Sequence, residues 1–187
     1  MSRKQDPLSV EYILLGIIQK QPIHAYDLSK ILNTQEELRI IWHFNQSQLY
    51  AILDKIEKNG LIQSKIISGD AFPFKKVYSL TDRGSDMFQK WKLEPVQQPR
   101  MLRSDFLAKL YFLKDEPQSQ FSSVIEKQIA ICEKWLLDYQ KRKDMISPES
   151  LYPKIVFDFR IKSLEAMISW LRECIDMISN SKFGKEL

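Results

Sequence analysis

Between Leu49 and Leu80 the spacing of apolar residues changes once, and that change constrains the fold more than any other feature of the chain. Leu49, Ile52, Leu53 and Ile56 recur at intervals of three and four, which places them on one face of an α-helix. Asn45 is suited to cap its first turn and Gln48, three residues on, completes a capping box, while Gly60 stands where a left-handed C-terminal residue is expected. Directly after Gly60, LIQSKIIS is β-branched and alternating, GDAFPF is turn-forming and KKVYSLT is again strand-like. The pattern therefore predicts a helix followed at once by a hairpin.

The flanking sequence completes an architecture. LSVEYILLGIIQK is apolar enough for a mostly buried helix, Pro22 breaks it, and Ala25, Leu28, Ile31 and Leu32 carry the spacing of a second helix. Beyond the hairpin, Thr81 offers an N-cap to DRGSDMFQKWKLE, whose apolar side is Met87, Phe88 and Trp91. Helix, helix, helix, hairpin, helix is the order of a winged helix-turn-helix, in which the third helix enters the major groove and the hairpin flanks it against the backbone. The fold class expected is mainly α with a small β-hairpin.

The third helix is polar at its front. Asn45, Gln46, Ser47 and Tyr50 are hydrogen-bonding types with almost no charge, suited to base edges and phosphates, although polar residues opposite a core face also suit a plain solvated surface. Lys55 and Lys58 on the same helix, with Lys75 and Lys76 at the base of the second strand, are candidates for the phosphate backbone. Lys65, on the first strand, adds a third lysine to the hairpin. Such lysines also keep the edge of a two-stranded ribbon soluble. A net charge of +4 permits a nucleic-acid partner without demanding one.

Residues 95–187 form a second expected domain after a winged helix-turn-helix at 1–94. The proline-flanked linker EPVQQPRML leads into a helix-like run, RSDFLAKLYFL, and then into two longer helices. Ile125, Ile129, Cys132, Leu136 and Tyr139 form one heptad seam; Ile161, Leu164, Ile168, Leu171, Ile175 and Ile178 form another. One seam is explained by packing within the chain. Two seams with Trp135, Phe157 and Trp170 in addition favour a homodimer.

The runs LLGIIQKQPIHAYDL, W…QLYAILDKIEKNGLI and KKVYSLTDRG…W resemble the PadR-like family of transcriptional regulators, with Pro22, His24, Tyr26, Tyr50, Gly60, Leu61, Tyr78, Leu80, Thr81, Gly84 and Trp91 at matching positions. The wing tip SGDAFPF departs from the pattern, being bulkier and less basic than the glycine-and-arginine-rich turn usual in the family. The second half is similar to the long C-terminal domain of virulence-activator-like members. The resemblance implies dimerisation through the C-terminal helices and binding of double-stranded DNA, as a repressor at an inverted repeat or as a co-activator. In some members it implies release by a small aromatic effector. Trp91, Phe106, Tyr111 and Phe112 are the candidates to line such a site, and a packed aromatic core is the other reading. A winged-helix interaction module without specific DNA binding uses the same scaffold.

Other functions find little support. The two histidines, His24 and His43, lack neighbours at metal-ligand or triad spacing, and the five glycines form no phosphate-cradling loop, so neither an enzyme nor a metal or other cofactor is expected. Cys132 and Cys174 lie in apolar stripes and are expected to be buried free thiols. With 44% hydrophobic and 28% charged residues, no apolar run of membrane-spanning length and no signal-like core in MSRKQDPLSV, a cytoplasmic globular protein without a membrane partner is expected.

Overall fold

A computed structural model describes residues 9–41, 45–69 and 72–180, with the side chains of all of these except 9, 68, 69 and 72–75. The elements run α1 (Ser9–Lys20), β1 (Ile23–His24), α2 (Ala25–Thr34), α3 (Glu36–Ile41), α4 (Gln46–Lys58), β2 (Ile62–Gly69), β3 (Phe72–Leu80), α5 (Asp82–Leu93), a 3₁₀ turn (Pro99–Arg103), α6 (Asp105–Leu113), α7 (Gln118–Asp144) and α8 (Leu151–Asn180). They fall into two compact units, one of residues 1–93 with 103–112 and one of 94–102 with 113–187.

In the first unit the expected helices and hairpin are present, joined by two elements that the sequence pattern did not suggest. The hairpin pairs Lys65 with Val77, Ile66 with Lys76 and Ile67 with Lys75. The two-residue β1 adds to it on the far side of β3, with Ile23 opposite Tyr78 and His24 opposite Val77, giving a three-stranded antiparallel sheet in the order β1-β3-β2. The short α3 precedes α4 and buries Leu38.

Local chemistry fixes the junctions. At the end of α4, Asn59 is the cap and Gly60 takes φ +69°. The Gly60 amide donates to Glu57 O at 2.9 Å and the Leu61 amide to Ile56 O at 2.9 Å, the two bonds of a Schellman motif. Thr81 then caps α5: its hydroxyl oxygen accepts from the Gly84 amide at 3.1 Å while the hydroxyl donates to Gly60 O at 2.8 Å. A Cβ on Gly84 would lie 1.9 Å from Leu61 O, so the approach of α5 to the end of α4 requires glycine there. The core of the unit gathers Ile13, Leu14 and Ile17 of α1, Leu28 and Leu32 of α2, Leu49, Leu53 and Ile56 of α4, Tyr78 of β3, Phe88 of α5 and Phe112 of α6.

In the second unit α7 and α8 pack as an antiparallel pair. Gln118 Nε2 donates to Ile178 O at 2.9 Å at one end, Arg172 pairs with Glu133 at 2.8 Å midway, and Lys143 pairs with Asp158 at 2.7 Å at the other end. Gln128, fully buried, holds the backbone of Val96 with both ends of its amide, at 2.7 and 3.3 Å. Cys132 is buried and Cys174 half-buried, both as free thiols, and burial pushes each thiol pKa up. Among the described residues no helix is long and apolar enough to cross a membrane, and no cluster of His, Cys, Asp and Glu is arranged to hold a metal.

Candidate nucleic-acid interface

The N-terminal half of α4 is the most fully specified polar surface of the first unit. Asn45 Oδ1 accepts from the Gln48 amide at 2.8 Å and from the Ser47 hydroxyl at 2.9 Å, and the Gln48 side chain accepts from the Asn45 amide, closing the capping box. Asn45 and Ser47 thus hold one another and the helix start. Gln46 and Tyr50 are exposed, and neither side chain has a hydrogen-bond partner among the described residues. Opposite them Leu49, Leu53 and Ile56 are buried, so the core sets the direction in which the polar half faces solvent.

The candidate lysines differ in what already holds them. Lys58 is exposed with no carboxylate partner among the described residues. Lys55 pairs at 2.5 Å with Glu11 of α1, which is 1% exposed and whose second oxygen has no hydrogen-bond partner among the described residues. Lys76 pairs with Glu57 at 2.7 Å and lies 5.0 Å above the Tyr78 ring. The Glu57 hydrogen bond raises the lysine pKa; the same contact, reinforced by the Ser64 hydroxyl, lowers that of Glu57, and burial raises Tyr78. Lys65 is exposed on β2. The side chain of Lys75, the wing tip at Asp70, and Trp42 and His43 lie outside the described residues.

The structure links three of the four aromatic candidates, Trp91, Phe112 and Tyr111, through Phe88. Trp91 stacks on Tyr12 with centroids 4.9 Å apart, and Phe112 meets Phe88 and Tyr111 edge-on at 5.1 and 5.0 Å. Phe106 is fully buried. Lys109 sits 4.5 Å over the Trp91 ring and donates to its backbone carbonyl, and the Tyr111 hydroxyl donates to Gln35. A cavity of about 80 Å³ touches Tyr111 and Phe112, with Ile17, Ile31 and Gln35 among its other walls. Trp91 and Phe106 do not line it.

Of the residues suggested for an interface between copies, Ile125, Ile161, Leu164, Ile168, Leu171 and Ile178 are buried within the chain, and Ile129, Leu136 and Ile175 are half-buried. Large exposed apolar side chains lie instead on the first turns of α8, at Leu151, Tyr152, Ile155, Val156 and Phe159.

A β2–β3 wing in a three-stranded sheet, the helices packed with it and the polar, capped α4 define a winged helix-turn-helix regulator. Residues 14–90 match the model of the transcriptional regulator PadR-like family, and residues 102–179 that of the virulence activator alpha C-terminal domain. The chain belongs to the PadR-like family of transcriptional regulators, which are not enzymes. It is 26% identical over 178 residues to the negative transcriptional regulator PadR of Bacillus subtilis (strain 168), covering 90% of this chain and 97% of that one. Among solved structures, Bacillus subtilis PadR in complex with operator DNA is 25% identical, with 91% and 99% of the two chains covered and a TM-score of 0.46. The same protein in complex with p-coumaric acid gives 24%, 92% and 100%, and 0.43.

Proposed function

We propose that this regulator is a cytoplasmic homodimeric repressor that reads an inverted-repeat operator, with residues 1–94 carrying DNA binding and 95–187 dimerisation. The observation that carries this reading is α4: a helix anchored by Leu49, Leu53 and Ile56, fixed at its start by a closed capping box, and presenting Gln46 and Tyr50 with unused hydrogen-bonding groups. Gln46 and Tyr50 read base edges; Asn45, whose Oδ1 serves the cap, offers its amide NH2 to a nearby phosphate, and Ser47, whose hydroxyl proton goes to Asn45 Oδ1, offers its oxygen as an acceptor to a base edge. Lys58 and Lys75 contact the backbone, while Lys55 and Lys76 reach a phosphate by sharing an ammonium already held by Glu11 or Glu57. Two such helices on a two-fold axis, about 34 Å apart, meet successive major grooves of one face of the duplex.

An aromatic effector acting on this dimer would enter at Trp91, Phe106, Tyr111 and Phe112. A cavity of about 80 Å³ holds only a few waters' worth of space, so entry requires Tyr111 to give up Gln35 and swing aside.

The test is selection of random duplex DNA by the full-length protein at two salt concentrations. An inverted repeat enriched at both is the expected result. On that operator, Gln46→Ala and Tyr50→Ala each weaken binding by about 1 to 3 kcal/mol and relax one base position, whereas Lys58→Ala weakens all sequences alike and flattens the salt dependence. Binding that vanishes at the higher salt with no enriched sequence overturns the reading in favour of a winged-helix interaction module.

A further inference from the structure

Beside the polar half of α4 lies a cleft of about 480 Å³ whose walls come from three elements: His24 and Tyr26 where β1 meets α2, Tyr50 and Asp54 on α4, and Lys76 and Tyr78 on β3. Its floor is rigid. Tyr78 is 3% exposed, Lys76 bridges its ring and Glu57, and His24 Nδ1 lies 3.3 Å from Lys76 O, tying β1 to β3. Its rim faces solvent. Tyr26 is 72% exposed and Tyr50 45%, and neither hydroxyl has a hydrogen-bond partner among the described residues.

We propose that this cleft seats the sugar–phosphate backbone of the operator strand beside the α4 half-site, with the Tyr26 hydroxyl donating to one phosphate and the tyrosine rings against its deoxyribose. The assignment rests on the DNA-binding reading of α4, since Tyr50 belongs to both surfaces. Three observations select this occupant. The cleft adjoins the base-reading end of α4, so a strand passing from that helix toward the wing crosses it. Its walls are largely aromatic, which suits a deoxyribose better than a bare anion, and its two free donors are neutral hydroxyls. Its charges then place the phosphate: the Asp54 carboxylate, one helical turn beyond Tyr50, repels an anion from the α4 wall, which leaves the Tyr26 rim for this phosphate and Lys76, shared with Glu57, for a neighbouring one.

A neutral donor on a phosphate leaves a signature that a lysine does not. Removing it weakens every sequence equally, because the backbone carries no sequence information, yet it releases no counterion and leaves the salt dependence unchanged. The experiment measures Tyr26→Phe in the full chain on the selected operator, at several salt concentrations and with phosphate-ethylation interference, alongside Gln46→Ala. Expected for Tyr26→Phe is a loss of about tenfold in affinity. The salt slope should be unaltered, and one phosphate whose ethylation blocks the wild type should no longer matter. Wild-type affinity for Tyr26→Phe together with weakened Gln46→Ala overturns the cleft assignment and leaves the α4 reading standing. Wild-type affinity for both variants overturns the α4 reading and the cleft with it.

Discussion

The two units dispose of their apolar residues differently. In the first, the core of α1, α2, α4, α5 and α6 takes up most of the large side chains among the described residues; the exposed ones there are Tyr26, Ile40, Tyr50, Ile66 and Ile67, two of them tyrosines on one cleft. In the second, α7 and α8 consume each other's heptad seams and still leave Leu151, Tyr152, Ile155, Val156 and Phe159 in solvent within nine residues of α8. A unit whose core is closed presents hydrogen-bonding groups and suits a polar partner. A helical pair with an uncovered apolar stripe suits a second copy of itself.

The sharpest way to break the first half of the comparison is at its tightest joint. In Gly84→Ala the new methyl would lie 1.9 Å from Leu61 O, backbone against backbone, so α5 must move off the end of α4 and disturb the Thr81 cap. Overpacking of this kind costs about 3 kcal/mol or more. A calorimetric melt of the variant should show a melting temperature lower by about 10 °C, and operator binding should fall with it. An unchanged melt would show that the closed core is not what holds α4 in place.

The second half is tested on the stripe. Ile155→Glu combined with Phe159→Glu puts two carboxylates on a surface that is already exposed in the single chain, so helicity should survive. If this stripe is where copies meet, sedimentation equilibrium should report dissociation raised by at least about a hundredfold, in the range set by buried hot-spot residues. Operator affinity should drop as the two half-sites are no longer read together. A variant that remains dimeric would move the interface off the first turns of α8.

How much of this was legible in the sequence follows from the range of each signal. The capping box at Asn45 and Gln48, the left-handed Gly60 and the Thr81 cap are all contained within a few residues, and each stands where its local pattern placed it. β1 escaped because two residues show no alternation; only its register against Tyr78 and Val77 defines it. The ion pairs of Lys55 with Glu11 and of Lys76 with Glu57 join residues 44 and 19 apart, and no spacing rule links them. The heptad seams were visible, but a seam that faces its own hairpin partner and one that faces another chain have the same period. What separates them is burial: Ile161, Leu164 and Leu171 are covered already, and Phe159 is not. Tyr26 was legible only as part of a motif; its place on a cleft with Tyr50 depends on how α2, α4 and β3 meet.

The smallest effect concerns charge at the closed end of the helical pair. Asp158 accepts hydrogen bonds from Lys143 of α7 and Lys162 of α8 at 2.7 and 2.8 Å, and the lysines, Lys143 foremost, hold its carboxyl at a pKa of about 2 against an ordinary 3.8. A carboxyl whose pKa is depressed by folding contributes stability above its unfolded value and loses it as pH falls toward the folded one. The contribution is therefore complete above about pH 5 and declines between about 4 and 2. Because the group is solvent-exposed the effect is slight and screened by salt. Asp158→Asn should lower the melting temperature by about a degree at pH 7 and low ionic strength. The difference should vanish near pH 2 and shrink in high salt. A difference that persisted at pH 2 would mean that Asp158 acts through packing against α7 rather than through its charge, and the end of the hairpin next to the exposed stripe would then be held by contacts rather than by ion pairs.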